Sequence, residues 1–356
     1  MINPALLLAR TKKEAITRNW AAGVEIDPIP LELPGYYCDI LLKFSLTYKT
    51  GSTTPAADTD WDAKIFKNLW IKASNLKPYL DLEDARYLKY EDFLRSHGTL
   101  YIEPLKTGTN LEDQEVKFQY HIHPGDLFLD KKDITDVIAR RGLNNLALRL
   151  TWGEADAIGS GYTITSGKVE VVTSYVVLQP GVRETQVFPG MALPGRVARP
   201  SFFQPQWRVE EFGPVKVKKT FGYVQNFMNG FLLREVLLMV LDKNGDPVDH
   251  LVTQIRIANK ESYDFWTKDL EELELENMQE FELSEPLAGI AWINLKDIWQ
   301  KTRAGVYFAN AEDMKWNFTT ECTEDDYAYI VLVYRTHWRT ESRADVIGKT
   351  PAEFVI

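Results

Sequence analysis

Cysteine is scarce: the 356 residues hold two, Cys38 and Cys322. With no CxxC pair and no cysteine ladder, neither a disulfide framework nor a thiolate metal knuckle is expected; both residues read as buried free thiols, with a single disulfide between them the alternative. Basic charge is in deficit as well. Lysine and arginine number 41 against 51 acids, a formal net charge of −10. A surface that neutralises phosphates is basic, so direct contact with nucleic acid is not expected. Long apolar runs are also missing. No stretch approaches the eighteen apolar residues that mark a membrane-spanning helix. The opening MINPALLLARTKKEAITRNW has a short apolar run interrupted by Arg10 and Lys12. That is too short for a secretory signal, so the chain is expected to be made and kept soluble.

What the chain does have is alternation. In GYYCDILLKFSLTYKTG, beginning at Gly35, Ile40, Leu42, Phe44, Leu46 and Tyr48 share one face. Asp39, Lys43, Ser45, Thr47 and Lys49 share the other, which predicts a strand with one wet side. Far downstream, GFLLREVLLMVLDKNG repeats the layout from Gly230 and again ends in a glycine turn. The order then holds. FKNLWIKASN is answered by LVTQIRIAN, ARYLKYEDFL by SYDFWTKDLEEL, and KDITDVI by INLKDIW. NLALRLTWG is answered by DMKWNFTTE, and KVEVVTSYVVLQ by DYAYIVLVYRT. The inward sets are Leu146, Leu148, Leu150 and Trp152 in one copy and Met314, Trp316 and Phe318 in the other. Identity between the copies is low, but a shared order of elements signals an internal duplication.

Helices are expected over residues 5 to 18, over about Leu82 to Ser96, in KKDITDVIARRG up to Gly142, and in SYDFWTKDLEEL. VEIDPIPLEL, punctuated by proline, reads as an edge strand, and GTLYIEPL as a further strand. In the second copy Val236, Leu238 and Val240 alternate with Leu237, Met239 and Leu241, and Ile330 and Leu332 with Val331 and Val333. These strands should be covered on both faces, by the other sandwich or by another subunit. Between the copies, QPGVRETQVFPGMALPGRVARPSFFQPQ is too rich in proline and glycine for a sheet or helix interior.

The organisation expected is an N-terminal basic arm or helix at 1–19 and a first jelly roll at 20–180. A Pro/Gly-rich linker at 181–206, a second jelly roll at 207–340 and a C-terminal tail at 341–356 follow. The fold class is all-β: two tandem eight-stranded jelly-roll β-sandwiches, with short helices in the long connecting loops.

Through LPGYYCDILLKFSLTYKTG followed by KIFKNLWIKAS, and ITDVIARRGLNNLALRLTWGEADAI closing the first half, the chain resembles a double jelly-roll major capsid protein of icosahedral viruses with an internal membrane. The resemblance spans roughly residues 20 to 340. It implies a structural protein of the virion, assembled in the host cytoplasm as pseudo-hexagonal homotrimers that tile the shell beside penton and minor capsid proteins. It also implies an N-terminal segment near an internal lipid membrane, and Arg10, Lys12, Lys13 and Arg18 are the basic residues that would face it. A tandem jelly-roll carbohydrate-active enzyme or glycan-binding protein, or a minor capsid or spike protein, is the alternative.

Chemistry is hinted at in three places. HIHPGD sets His121 and His123 on one side of a strand, as metal-binding cupins do, but Leu127 and Phe128 stand where a carboxylate is needed. Both histidines are therefore read as structural. GKT at Gly348 lacks the earlier glycine of a phosphate loop. DKNGDPVD resembles a calcium loop, yet Asn244-Gly245 between strands reads as a turn. No catalytic residue, cofactor or metal is expected.

Overall fold

The computed structural model describes residues 11–12, 16–31, 35–73, 79–123, 138–139, 145–182, 190–191, 199–200, 202–226, 232–259, 264–295, 306–307 and 314–340. The chain divides into two compact units; the main boundary falls inside the strand Phe202–Val215, between Gln206 and Trp207, and Arg339 and Thr340 at the end of the last strand group with the first unit.

In the first unit the strands are β1 (Ile16–Asn19), β2 (Ile29–Pro30), β3 (Tyr36–Thr50), β4 (Phe66–Lys72), β5 (Leu80–Leu82), β6 (Gln114–Ile122), β7 (Ala147–Trp152) and β8 (Tyr162–Val176). They form two antiparallel sheets, ordered β1-β8-β3-β6 and β2-β7-β4-β5. Helix α1 (Trp61–Lys64) precedes β4, and α2 (Arg86–Arg95) connects β5 to β6.

The second unit runs β9 (Phe202–Val215), β10 (Lys219–Asn226), β11 (Leu232–Leu241), β12 (Val252–Asn259), β13 (Asp264–Asp269), β14 (Ile290–Asn294), β15 (Met314–Thr320) and β16 (Ala328–Thr340), with α3 (Leu270–Glu280) between β13 and β14. Its sheets are ordered β9-β16-β11-β14 and β10-β15-β12-β13. Each strand of the second unit thus holds the place of the strand eight earlier, and α3 that of α2. Even the two-residue pieces agree: Ile138–Ala139 pairs with β3 and Val306–Tyr307 with β11. Two four-stranded sheets wired in this order are a jelly roll, here made twice.

The inward residues are the ones that alternation selects. Ile40, Leu42, Phe44, Leu46 and Tyr48 are buried, as are Leu146, Leu148, Leu150 and Trp152. Phe44 stacks on Phe66 and Phe118 at ring separations of 4.8 and 4.7 Å, and Trp152 meets it edge-on. In the second unit Trp316 and Phe318 are fully buried, and the Trp316 indole N–H donates to the Tyr334 hydroxyl at 2.9 Å. Val236 through Val240 and Ile330 through Val333 are buried on both faces, as their two-sided apolar pattern predicts.

Each unit treats its exposed sheet edge alike. A free strand edge invites pairing with other chains. Along β6, Asp92 of α2 accepts the His121 backbone N–H at 2.5 Å, and Tyr101 and Glu103 take further backbone bonds. Along β14, the Asn277 side chain of α3 bonds both the N–H and the carbonyl of Trp292. The connecting helix therefore closes the same edge in both copies.

Glu274 of α3 is buried and accepts the Gly289 N–H at 2.7 Å. Burial raises its carboxyl from 4.5 to about 7, with the Gly289 bond opposing and Asp249 and Glu271 assisting. A raised pKa means stability that is present in full below pH 4.5 and lost as pH rises through about 7. Glu274→Gln keeps an acceptor for Gly289 and removes the charge. It should stabilise the second unit by about 2 kcal/mol above neutrality and change little near the unfolded carboxyl's pKa. Denaturant titrations at acidic and alkaline pH check this; an equal difference at both ends contradicts it.

Several expectations are corrected. Where the 5–18 segment is described it is strand, not helix: Thr11–Lys12 and β1 both pair with β8. The register of β8 offers a ladder that satisfies more backbone groups than one isolated helical turn. Ile138–Ala139 is likewise strand; residues 131–137 and 140–142 of that expected helix lie outside the described residues. SYDFWTKDLEEL is half strand, its helix starting at Leu270. GTLYIEPL makes only a bridge, Ile102 to Phe118. Within the linker, Gly190–Met191 pairs with Arg199–Pro200, and β9 already begins at Phe202. Pro30 does sit on the edge strand β2. Both cysteines are free, but Cys38 is only half-buried.

Candidate functional site

Asp39 belongs to the phase of β3 expected to be wet, yet it is buried. Ile40 lies opposite Ile122 and Leu41 opposite His121, and Asp39 and His123 come immediately beyond the last paired positions. Spacing of two residues puts His121 and His123 on that same face, away from the Phe44 core. Both imidazole Nδ1 atoms point at one oxygen: Asp39 Oδ1 is 2.9 Å from His121 Nδ1 and 3.4 Å from His123 Nδ1. The rings stack nearly parallel at 5.1 Å. His123 Nε2 faces Asp92 Oδ1 at 3.6 Å, while the other Asp92 oxygen is held by the His121 amide. Asp39, His121 and His123 each offer a ligand atom, all within 4.8 Å of one another.

One turn of α2 away lies a buried ionic network. Lys89 Nζ reaches Asp60 Oδ1 at 2.8 Å and Asp62 Oδ1 at 2.7 Å, with Asp62 almost wholly buried. The Tyr90 hydroxyl donates to Asp60 at 2.7 Å, and the Tyr120 hydroxyl to Asp62. Burial, then the aspartates, push both phenols above their ordinary range, so they stay protonated donors. Burial lowers the Lys89 ammonium, but Asp62 and Asp60 outweigh it and hold the amine charged. Beside it, Arg86 grips Asp84, and Arg95 grips the fully buried Glu91. These bonds tie α1, α2 and β6 together.

The basic residues singled out at the N-terminus are not brought together as a described patch. Arg10 and Lys13 lie outside the described residues, and Lys12 sits in the short strand on β8. Arg18 is engaged by its own chain, donating to the Asp27 and Pro28 carbonyls at 3.1 Å each. DKNGDPVD is a turn: Asp242 accepts the Asn244 and Asp246 amides, and Gly245 has φ of +84°. Gly348 lies outside the described residues. The Cys322 thiol is pushed up by burial and donates to the Leu251 carbonyl, which makes it a poor nucleophile.

Sequence reasoning missed Asp39 and Asp92. A cupin template looks for its carboxylate just downstream of the histidines, whereas here it comes from the neighbouring strand. Only the β3–β6 register reveals it.

No protein-family model matches the chain, and no curated protein matches it by sequence. Solved structures do match its fold. A chain from the crystal structure of the STIV MCP superposes with a TM-score of 0.73 at 12% identity, over 96% of this chain and 99% of that one. A chain from the atomic structure of Sulfolobus turreted icosahedral virus gives 0.71 at 12% identity, over 97% and 96%. The major capsid protein of bacteriophage PM2 gives 0.54 at 12% identity, over 94% and 99%. The likeness establishes a double jelly-roll fold along nearly the whole chain.

Proposed function

We propose that the chain is the major capsid protein of an icosahedral virus, a structural building block and not an enzyme. The observation that carries the reading is the strand-for-strand repetition of one jelly roll, matched almost end to end by capsid chains. Tandem duplication has a geometric use. Three chains about a three-fold axis present six similar sandwiches, a pseudo-hexagonal tile from one gene. Tiles packed edge to edge then share many modest contacts that together hold a shell. Penton and minor capsid proteins are the further partners where six-fold tiles cannot close, and the virion is the protein's location. The closed edges of β6 and β14 suit such a block, because they direct association away from uncontrolled strand pairing.

The shell would enclose a lipid membrane, approached by the N-terminal segment. Its first twenty residues carry Arg10, Lys12, Lys13 and Arg18 against Glu14, in a chain otherwise acidic. Each basic side chain near an anionic surface contributes about 1 kcal/mol. Since Arg18 is bound to its own chain, Arg10, Lys12 and Lys13 carry this role.

Sedimentation velocity of the purified protein tests the reading: the expected species has three times the chain mass. The same preparation should co-float with anionic vesicles, and replacing Arg10, Lys12 and Lys13 by glutamine should abolish flotation while leaving the trimer. A strict monomer at micromolar concentration contradicts the assembly claim; unchanged flotation contradicts the membrane claim.

A further inference from the structure

We infer that Asp39, His121 and His123 form a binding site for a divalent first-row transition cation, with Zn²⁺ the best match, and that Asp92 orients one of its histidines. Three features carry this. The first is donor chemistry. Two imidazoles and one carboxylate are a ligand set for zinc and its neighbours, whereas calcium and magnesium require oxygen.

The second is spacing. Ligands bound at about 2.0–2.2 Å around a tetrahedral ion lie roughly 3.3–3.5 Å from each other. Asp39 Oδ1 already stands 2.9 and 3.4 Å from the two Nδ1 atoms. Both rings are aimed at the same oxygen from the same side, so a small outward shift opens room for an ion among the three atoms. The backbone fixes the arrangement, because Asp39 and His121 ride on the paired strands β3 and β6 and His123 directly follows the end of β6.

The third is the outer carboxylate. Metal-bound histidines donate their other N–H to a carboxylate that sets ring orientation and raises ligand basicity. His123 meets Asp39 through Nδ1 and Asp92 through Nε2. Asp92 is itself anchored, since its second oxygen holds the His121 amide at 2.5 Å. The two carboxylates are nearly buried, at 8% and 9% side-chain exposure, and a divalent cation balances their charge. The histidines remain 31% and 26% exposed, which gives an ion a way in and a fourth position for water. A cation here clips β3 to β6, and through Asp92 to α2, at one end of the first jelly roll.

The test uses full-length protein stripped with a chelator and titrated with ZnCl₂ by calorimetry, with Co²⁺ absorption as the reporter of geometry. Wild-type protein should bind one equivalent, gain thermal stability on binding, and give the visible bands of tetrahedral cobalt. CaCl₂ should do neither. His121→Gln/His123→Gln should lose stoichiometric binding and the cobalt bands, and Asp92→Asn should bind about 10–100-fold more weakly. Should the double variant not fold, His123→Gln alone is read the same way. Absence of stoichiometric zinc in the wild type, or undiminished binding in the histidine variants, overturns the inference.

Discussion

Lys89→Met is expected to destabilise the first jelly roll by about 3–5 kcal/mol, because it leaves two buried carboxylates without their cation. Lys89 is the ammonium at 2.8 and 2.7 Å from Asp60 and Asp62, and Asp62 has 2% side-chain exposure. The Tyr90 and Tyr120 hydroxyls each satisfy one carboxylate oxygen, but a neutral donor does not cancel a buried charge. Asp62→Asn/Lys89→Met should then lose less than the two single changes added together, since one partner of each is already gone. Denaturant titration of the four proteins measures the coupling. Additive losses would mean that the network does not act as a unit.

The second large effect is expected at Gly289, which leads into β14. Its φ of +69° is costly for any residue with a side chain, and a Cβ there would sit 2.5 Å from both the N and O of Val248. The conformation alone costs about 1–2 kcal/mol. The clash is with backbone, which cannot rotate away. The Gly289 amide also serves Glu274, so any shift breaks the bond that positions α3. Gly289→Ala should therefore lose about 3 kcal/mol or more. Gly245 is the control, with φ of +84° and nothing within 4 Å of its would-be Cβ. Gly245→Ala should cost only the conformational part. Equal losses at the two positions would remove the steric argument.

What the sequence made legible follows from the period of two. Ile40 to Tyr48 and Leu146 to Trp152 declare their buried face locally, because successive side chains on a strand oppose each other. The duplication was readable for the same reason, as a repeated order of such patterns. What escaped depends on partners distant in sequence. Residues 16–19 carry too few periodic positions to reveal helix or strand, and only the ladder with Lys168–Val171 decides it. Asp39 looks like a solvent-facing acid until β6 is placed beside it. Asp92 and Asn277 look like ordinary polar helix residues. Their task, closing the edges of β6 and β14, exists only once the sheet has an edge there. Register and edge position are properties of the assembled sheet, so a single strand does not announce them.

The claim on which the rest depends is that this duplicated sandwich is a tile. Negative-stain electron microscopy of the purified chain measures that directly. The account predicts particles with six-fold outline and three-fold symmetry that pack edge to edge at high concentration. Fields of small separate particles, one chain each at every concentration, would contradict it.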